Sequence, residues 1–324
     1  MATDKNDLLV IGELNMDLIL DDVRSFPELG KEKIAGGLNF TLGSSAAIFA
    51  ANASRLGLET DFCGMIGNDS FGKSVLQQLS DFSVNTGSVV ISDQHQTGLT
   101  AIIRHADDRA MVTYPGAMQH FSLKEIPDQA FQGTKHLHTS SLFLQPGIKK
   151  DLFAIIERAK REDMTVSVDT QWDPREQWDI DFEQLVSRID FFLPNEDEFL
   201  NIAGTSSLDS AIHQFQPYLT NGSIVIKQGT KGATLVTKEK VQQVPGYLNK
   251  QPKDAIGAGD SFNSGLIYRF LQGDSLEQCV KFGNITGAVS TTTSGGTSAI
   301  QSFKAVRKIA TTQLSITDFN EFTR

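Results

Sequence analysis

Two rhythms of apolar and polar residues alternate along the chain. Short apolar runs rich in β-branched side chains occur at 7–20 (DLLVIGELNMDLIL), 60–67 (TDFCGMIG), 135–143 (KHLHTSSLF), 164–170 (MTVSVDT), 190–196 (DFFLPNE) and 223–229 (SIVIKQG). Such runs read as buried strands. A further run at 232–238 (GATLVTK) follows a Thr-Lys-Gly turn and pairs with the one before it. Between the strands lie stretches with helical spacing: 44–57, closed by Gly57; 69–82; 151–163, with Leu152, Phe153, Ile155, Ile156 and Ala159 along one side; and the short 196–204. Helices near 259–272 and 275–293 finish the core. Strands separated by helices of this length predict βαβ units around a mainly parallel sheet, with helices on both faces.

Two stretches break the rhythm. Residues 31–42 and 96–114 read as strands without helices, the second as a hairpin turning near Ala106-Asp107-Asp108-Arg109. They either extend the edge of the main sheet or form a small separate sheet, a lid over a cleft that could also pair two copies. The domain reading is one α/β unit over 1–312, with lid segments at about 13–42 and 95–118 inserted, and a C-terminal tail at 313–324.

Composition narrows the function. The 324 residues are 40% hydrophobic and 21% charged, enough to bury a full core. Lys and Arg number 29 against 39 Asp and Glu, a net charge of -10, which argues against a nucleic-acid binder. No apolar run reaches the roughly 18 residues of a membrane span, and the first residues lack the pattern of an export signal. Cys63 and Cys279 make neither a disulfide framework nor a CxxC site. These features point to a cytoplasmic protein with no membrane or nucleic-acid partner.

Two glycine-rich stretches carry candidate chemistry. Residues 67–74, GNDSFGKS, fit the phosphate-loop pattern GxxxxGK[ST] between a strand and a helix. Asp69 would sit inside the nest of N–H groups and repel an anion, so it reads better as a helix cap, with Lys73 on the surface. Residues 254–262, DAIGAGDSF, open a helix in which Phe262, Leu266 and Phe270 recur every four residues. There the helix N-terminus offers unpaired N–H groups and a positive dipole end for a phosphoryl group. Asp260, at the same place, could take a proton from a hydroxyl. Alternatively, the stretch is a glycine turn with Asp260 as cap.

With its surroundings, this stretch resembles the ribokinase-like (PfkB) carbohydrate kinase family, and landmarks follow in the family's order over nearly the whole chain. GELNMDLI resembles the opening strand, with Asn15 and Asp17 where polar side chains hold sugar hydroxyls. LGSSAAIFAANASRLG resembles the sugar-site helix start, through Gly43 and Ser44. CGMIGNDSFG resembles another family segment, which makes the phosphate-loop match a decoy. LPNEDE carries the N-x-x-E motif as Asn195 and Glu198, although the same spacing is a helix capping box. VIKQGTKGA resembles the nucleotide-side turn through Lys227, Gly229 and Gly232, and FGNITGAV places Asn284 at the adenine pocket.

The resemblance implies a ribokinase-like three-layer α/β sandwich with a β-sheet lid. It implies ATP-dependent phosphorylation of a sugar or sugar-like alcohol. Asp260 would be the base, and the backbone of Gly257, Ala258, Gly259 and Asp260 the anion hole. Mg2+ would be held through water by Glu198, and a monovalent cation, K+, by Asp254, the Ile256 carbonyl and the 292–296 loop. A homodimer through the lid is part of the expectation. Departures fall mainly on the sugar side: Ser44 for a glycine, Ile48 and Met118 for asparagines, and Ala255 for a threonine. Rival readings are a nucleoside or sugar-phosphate kinase on the same fold, and a non-catalytic sugar or nucleotide sensor. A phosphorylated acceptor would call for cations near the lid, where Lys31, Lys33 and Arg104 are the candidates.

Overall fold

The computed structural model describes residues 6–105 and 108–322. Of the expected hairpin turn, Ala106 and Asp107 lie outside the described residues. The elements run β1 (Asn6–Ile11), β2 (Asn15–Asp21), β3 (Gly37–Leu42), α1 (Ser45–Leu56), β4 (Thr60–Gly67), α2 (Ser70–Asp81), β5 (Asn85–Ser92), β6 (Gly98–His105) and β7 (Asp108–Tyr114). Then follow β8 (Thr134–Ser140), α3 (Pro146–Arg161), β9 (Thr165–Asp169), α4 (Phe182–Arg188), β10 (Phe191–Phe192), α5 (Glu196–Ala203) and α6 (Leu208–Phe215). The chain ends with β11 (Ser223–Lys227), β12 (Gly232–Val236), β13 (Val241–Pro245), α7 (Ala258–Leu271), α8 (Leu276–Ser290) and α9 (Phe303–Thr312).

Among the described residues, nine strands form one sheet in the order β13-β12-β11-β10-β9-β8-β1-β4-β5. It is parallel except where β12 and β13 join antiparallel at one edge. Alternate residues of each inner strand enter two separate cores: Leu8 and Val10 of β1 face α1, α7 and α8, while Leu9 and Ile11 face α3. A strand apolar on both faces needs helices on both faces, which is why these runs show little alternation.

β1 lies between β4 and β8, so the chain winds outward first one way and then the other. The crevice at such a switch, beyond the carboxyl ends of the strands, is where ligands bind in open α/β sheets. Here those ends deliver Glu13, Ser141 and Gln171 to one cleft.

The run 7–20 is two strands, not one. β1 stops at Ile11, and β2 crosses to a four-stranded sheet, β3-β2-β6-β7, built from both segments that broke the helical rhythm. Hydrophobicity continues across the break because Leu14 and Met16 are buried under the junction. Residues 313–324, read as a tail, bring Phe319 and Phe322 into the core against Phe282. α9 lies beyond the two helices expected to close the core. No described helix is long and apolar enough to cross a membrane.

Candidate active site

A cleft of about 1060 Å³ lies between the small sheet and the carboxyl ends of the large one. Its floor is the start of α7. Gly257 caps that helix at φ 71, and a Cβ there would come within 2.6 Å of the Gly296 Cα, so the turn needs glycine both for its dihedral and for its packing. Asp260, in the first turn of α7, is 7% exposed and opens onto the cleft. The Ser45 hydroxyl donates to its Oδ1, and Gln171 Nε2 donates to the same oxygen at 3.2 Å. Burial pushes its carboxyl up to about 7; nearby Asp169 adds to this, while Ser45 and Lys227 oppose it.

Beside the turn, Lys227 emerges from the end of β11, and its Nζ would lie 3.4 Å from a Cβ at Gly259. It pairs with fully buried Asp169 at 2.6 Å. Burial works against the ammonium, but Asp169 and Glu198 outweigh it and raise its pKa. Asp169 also accepts from Asn263 Nδ2 at 2.6 Å and Gln171 Nε2 at 3.1 Å.

Asn195 and Glu198 form the capping box of α5 and also line the cleft. The capping box is thus the observed role of that spacing, and it leaves both side chains at the cleft. Burial, and then Asp169, push Glu198 up to about 7. Among the described residues there is no cluster of three or more His, Cys, Asp or Glu able to cage a metal. A single carboxylate at this end of the cleft would suit Mg2+ held mainly by phosphate oxygens and water, with Glu198 as the residue to hold that water. Gly229 and Gly232 shape the turn beyond β11 at φ 58 and 97 and line the same end. Asn284 reaches the cleft, but its amide nitrogen donates to the Val244 and Pro245 carbonyls, tying α8 to β13.

On the other side stands the inner face of the small sheet. Asn15 Nδ2 donates to Asp17 Oδ1 at 3.1 Å and to Thr100 Oγ1 at 2.9 Å, and Thr113 extends the row. Burial pushes Asp17 up to about 6, against hydrogen bonds from Asn15 and Thr100. Gly43 stays behind this pair: a Cβ there would stand 2.2 Å from Asp17 Oδ1. Ser44 keeps the glycine-like conformation of the residue it replaces, at φ 70, and its hydroxyl accepts from the Asn15 N–H at 2.8 Å and donates to Asn15 Oδ1. Such a φ costs a non-glycine residue on the order of 1–3 kcal/mol, which the hydroxyl's two bonds offset.

Ile48 packs under Gly257 and Gly296 and lines the cleft with an apolar side chain, while Asn52, one helical turn on, is fully buried. Asn52 Nδ2 donates to the Gly296 carbonyl and to Ser261 Oγ, both at 3.0 Å. Nothing in the local sequence separates Asn52 from a surface helix residue. Glu13, Ser45, Gln171 and Asn263 escaped the sequence reading for the same reason, since each matters only through partners far along the chain. Burial pushes Glu13 up to about 8 in spite of hydrogen bonds from the backbone and Ser141.

Other expectations fall away from the cleft. Asp69 caps α2, accepting from Gly72 N–H at 2.8 Å, and Lys73 is exposed, so the phosphate-loop match is a capped helix start. Lys31 and Lys33 pair with exposed Glu28. The Asp254 carboxylate is engaged by Arg104 rather than left open to a cation. Trp172 lines the cleft, while Phe40 and Tyr114 lie on exposed surface.

The arrangement brings a carboxylate, a helix start and Lys227 to one wall, and a row of polar side chains from β2, β6 and β7 to the other. The pfkB family carbohydrate kinase model matches residues 5–302. The chain is 27% identical over 304 residues to a ribokinase of Haemophilus influenzae, covering 91% of this chain and 95% of the relative. In fold it resembles an adenosine kinase from Sinorhizobium meliloti, with TM-score 0.81 and 20% identity over 94% of this chain and all of that one. It equally resembles a ribokinase II candidate from E. coli in complex with ATP and Mg2+, with TM-score 0.81 and 19% identity over 94% and 98%. A family match over this much of the chain, on a ribokinase-like fold, makes the protein a member of the PfkB family of carbohydrate kinases.

Proposed function

We propose that the protein transfers the γ-phosphoryl group of ATP to a hydroxyl of an uncharged sugar or sugar-like alcohol, with Asp260 as general base. One observation carries this reading: the Asp260 carboxylate opens onto the cleft at the start of α7, between hydroxyl-binding groups and Lys227. The acceptor sits against Asn15 and Asp17 under the small sheet. As its oxygen bonds to the phosphorus, its proton passes to Asp260. The bond from the γ-phosphorus to the bridging oxygen breaks, and ADP leaves with that electron pair. N–H groups of the Gly257–Asp260 turn and the Lys227 ammonium stabilise charge on the group in flight. Mg2+, when bound, would neutralise phosphate charge, with Asn195 and Glu198 placed to hold its water. Asn284 and the Gly229–Gly232 turn border the nucleotide. Closure of the small sheet would exclude water and limit hydrolysis.

The acceptor is read as uncharged because Glu13, Asp17 and Asp260 share its end of the cleft, while the cations named near the lid are paired elsewhere. The outer face of the small sheet carries exposed Leu38, Phe40, Val112 and Tyr114, the surface we assign to pairing with a second copy, to be checked by mass in solution.

Asp260→Asn is expected to lower kcat by about 10²–10⁴ with ATP binding retained. Turnover within a few-fold of wild type would remove Asp260 as the base. If the wild type turned over no pentose, hexose, keto-sugar acid or nucleoside, a ligand sensor would be the better reading.

A further inference from the structure

Asp254, three residues ahead of Gly257, is the residue that the family resemblance assigns, with the Ile256 carbonyl, to a monovalent cation. The groups around it do not suit an ion. Its Oδ1 accepts the Ile256 N–H at 2.9 Å. Its Oδ2 accepts the Gly295 N–H at 2.9 Å, the Ser294 hydroxyl at 3.4 Å and the Arg104 guanidinium. A bare cation needs several oxygen lone pairs converging on one point in place of its water. Here hydrogens converge on the carboxylate, and a positive charge already stands against it.

We infer that the Arg104 guanidinium is a tethered substitute for a monovalent cation, locking the Gly257–Asp260 turn and fastening it to the small sheet. The pair is sheltered, with the Asp254 side chain 4% exposed and that of Arg104 20%. Burial alone would raise the Asp254 carboxyl, but the Gly295 and Ile256 N–H groups and Arg104 hold it below the usual carboxylate range. A second carboxylate, Asp21 on β2, meets the guanidinium at 3.3 Å and aims it. Arg104 stands on β6 on the same face as Thr100 and Ile102, so it reaches the turn from the strand that carries part of the hydroxyl-binding row. Asp254 in turn grips the loop whose Gly296 packs on Gly257. One guanidinium thus ties together the small sheet, the helix start and the glycine loop. An arginine stays charged across the working pH range and cannot wash out, unlike a bound ion.

The functional part of this inference rests on reading that turn as the phosphate site. The test therefore has a readout that needs no turnover. The wild type and Arg104→Ala are compared in KCl and in tetramethylammonium chloride at equal ionic strength, by unfolding midpoint and by kcat. A native state that binds no ion gains no stability from it, so the wild-type midpoint should be the same in both salts, and its kcat within about twofold. Arg104→Ala, with Asp254 left open, should lose on the order of 10²-fold in kcat in tetramethylammonium. KCl should restore most of that loss and lift the variant's midpoint. Arg104→Lys should keep most activity in either salt. Should Arg104→Ala fail to fold, Arg104→Gln carries the same comparison. A wild type whose midpoint and turnover rise with KCl overturns the inference, as does an Arg104→Ala that matches wild type in every salt. The midpoints decide the cation question even if Asp260→Asn shows that the base is misassigned.

Discussion

The two walls of the cleft are built on different plans. The wall proposed for the phosphates is one short stretch of chain, the Gly257–Asp260 turn that opens α7 and carries the carboxylate, with the Lys227–Asp169 pair beside it, and within it the Ala258 N–H is taken by the Ala255 carbonyl. The acceptor wall is side chains gathered from β2, α1, β6 and β7, each short of a full set of bonds without its neighbours. The first wall is tied into the core that gives the domain its stability. The second rides on a small sheet that packs on α2 through Met16 and Leu42, on the face away from the cleft. Damage to the first should register as lost stability as well as lost turnover, and damage to the second chiefly as weaker acceptor recognition.

The largest effect that would break this contrast is at Lys227. Lys227→Met leaves Asp169 charged and buried without its cation, which should destabilise the fold by about 3–5 kcal/mol as well as abolish turnover. A denaturant titration showing little loss would mean that the brace is not structural. A smaller effect is expected at Asp17. Asp17→Asn should lower kcat/KM for the acceptor by about 10²-fold with the KM for ATP unchanged, because a hydroxyl loses its charged acceptor. An equal rise in both KM values would erase the distinction between the walls. Smallest is the pH response. With the Asp260 carboxyl near 7 in the free enzyme and the ionised form needed as base, kcat/KM should rise with pH and level off above about 7. Below that point it should fall about tenfold per unit, and a flat profile from pH 5 to 8 would disconnect the base from its surroundings.

Legibility followed the same divide. The helix 45–56 with its Gly57 stop, the strand 60–67 and the helix opening at 258 could all be read from periodicity and capping residues, because these are local effects. The break between β1 and β2 could not, since Leu14 and Met16 are as buried there as strand residues are. β5, β13, α4, α6 and α9 also went unread: β5 and β13 lie at the two edges of the large sheet, whereas α6 and α9 do carry serine caps and helical spacing, as in Phe303, Val306 and Ala310. At the site, the family's order of motifs located Asn15, Asp17, Lys227 and Asp260. It did not bring Arg104 and Asp254 together, because their contact spans 150 positions of the chain.

By itself, then, the amino-acid order determined the alternation of strands and helices, the glycine turn ahead of α7 and the carboxylate within it. These depend on dihedral preference, helix ends and spacing over a few residues. Only the folded arrangement decided that Ser45 and Gln171 hold that carboxylate, that Asn52 ties α1 to Ser261 and the Gly296 carbonyl, and that a guanidinium from the small sheet stands at Asp254. The physical reason is range: hydrogen bonds, ion pairs and desolvation act across a few ångströms of space, however many residues of chain lie between the partners.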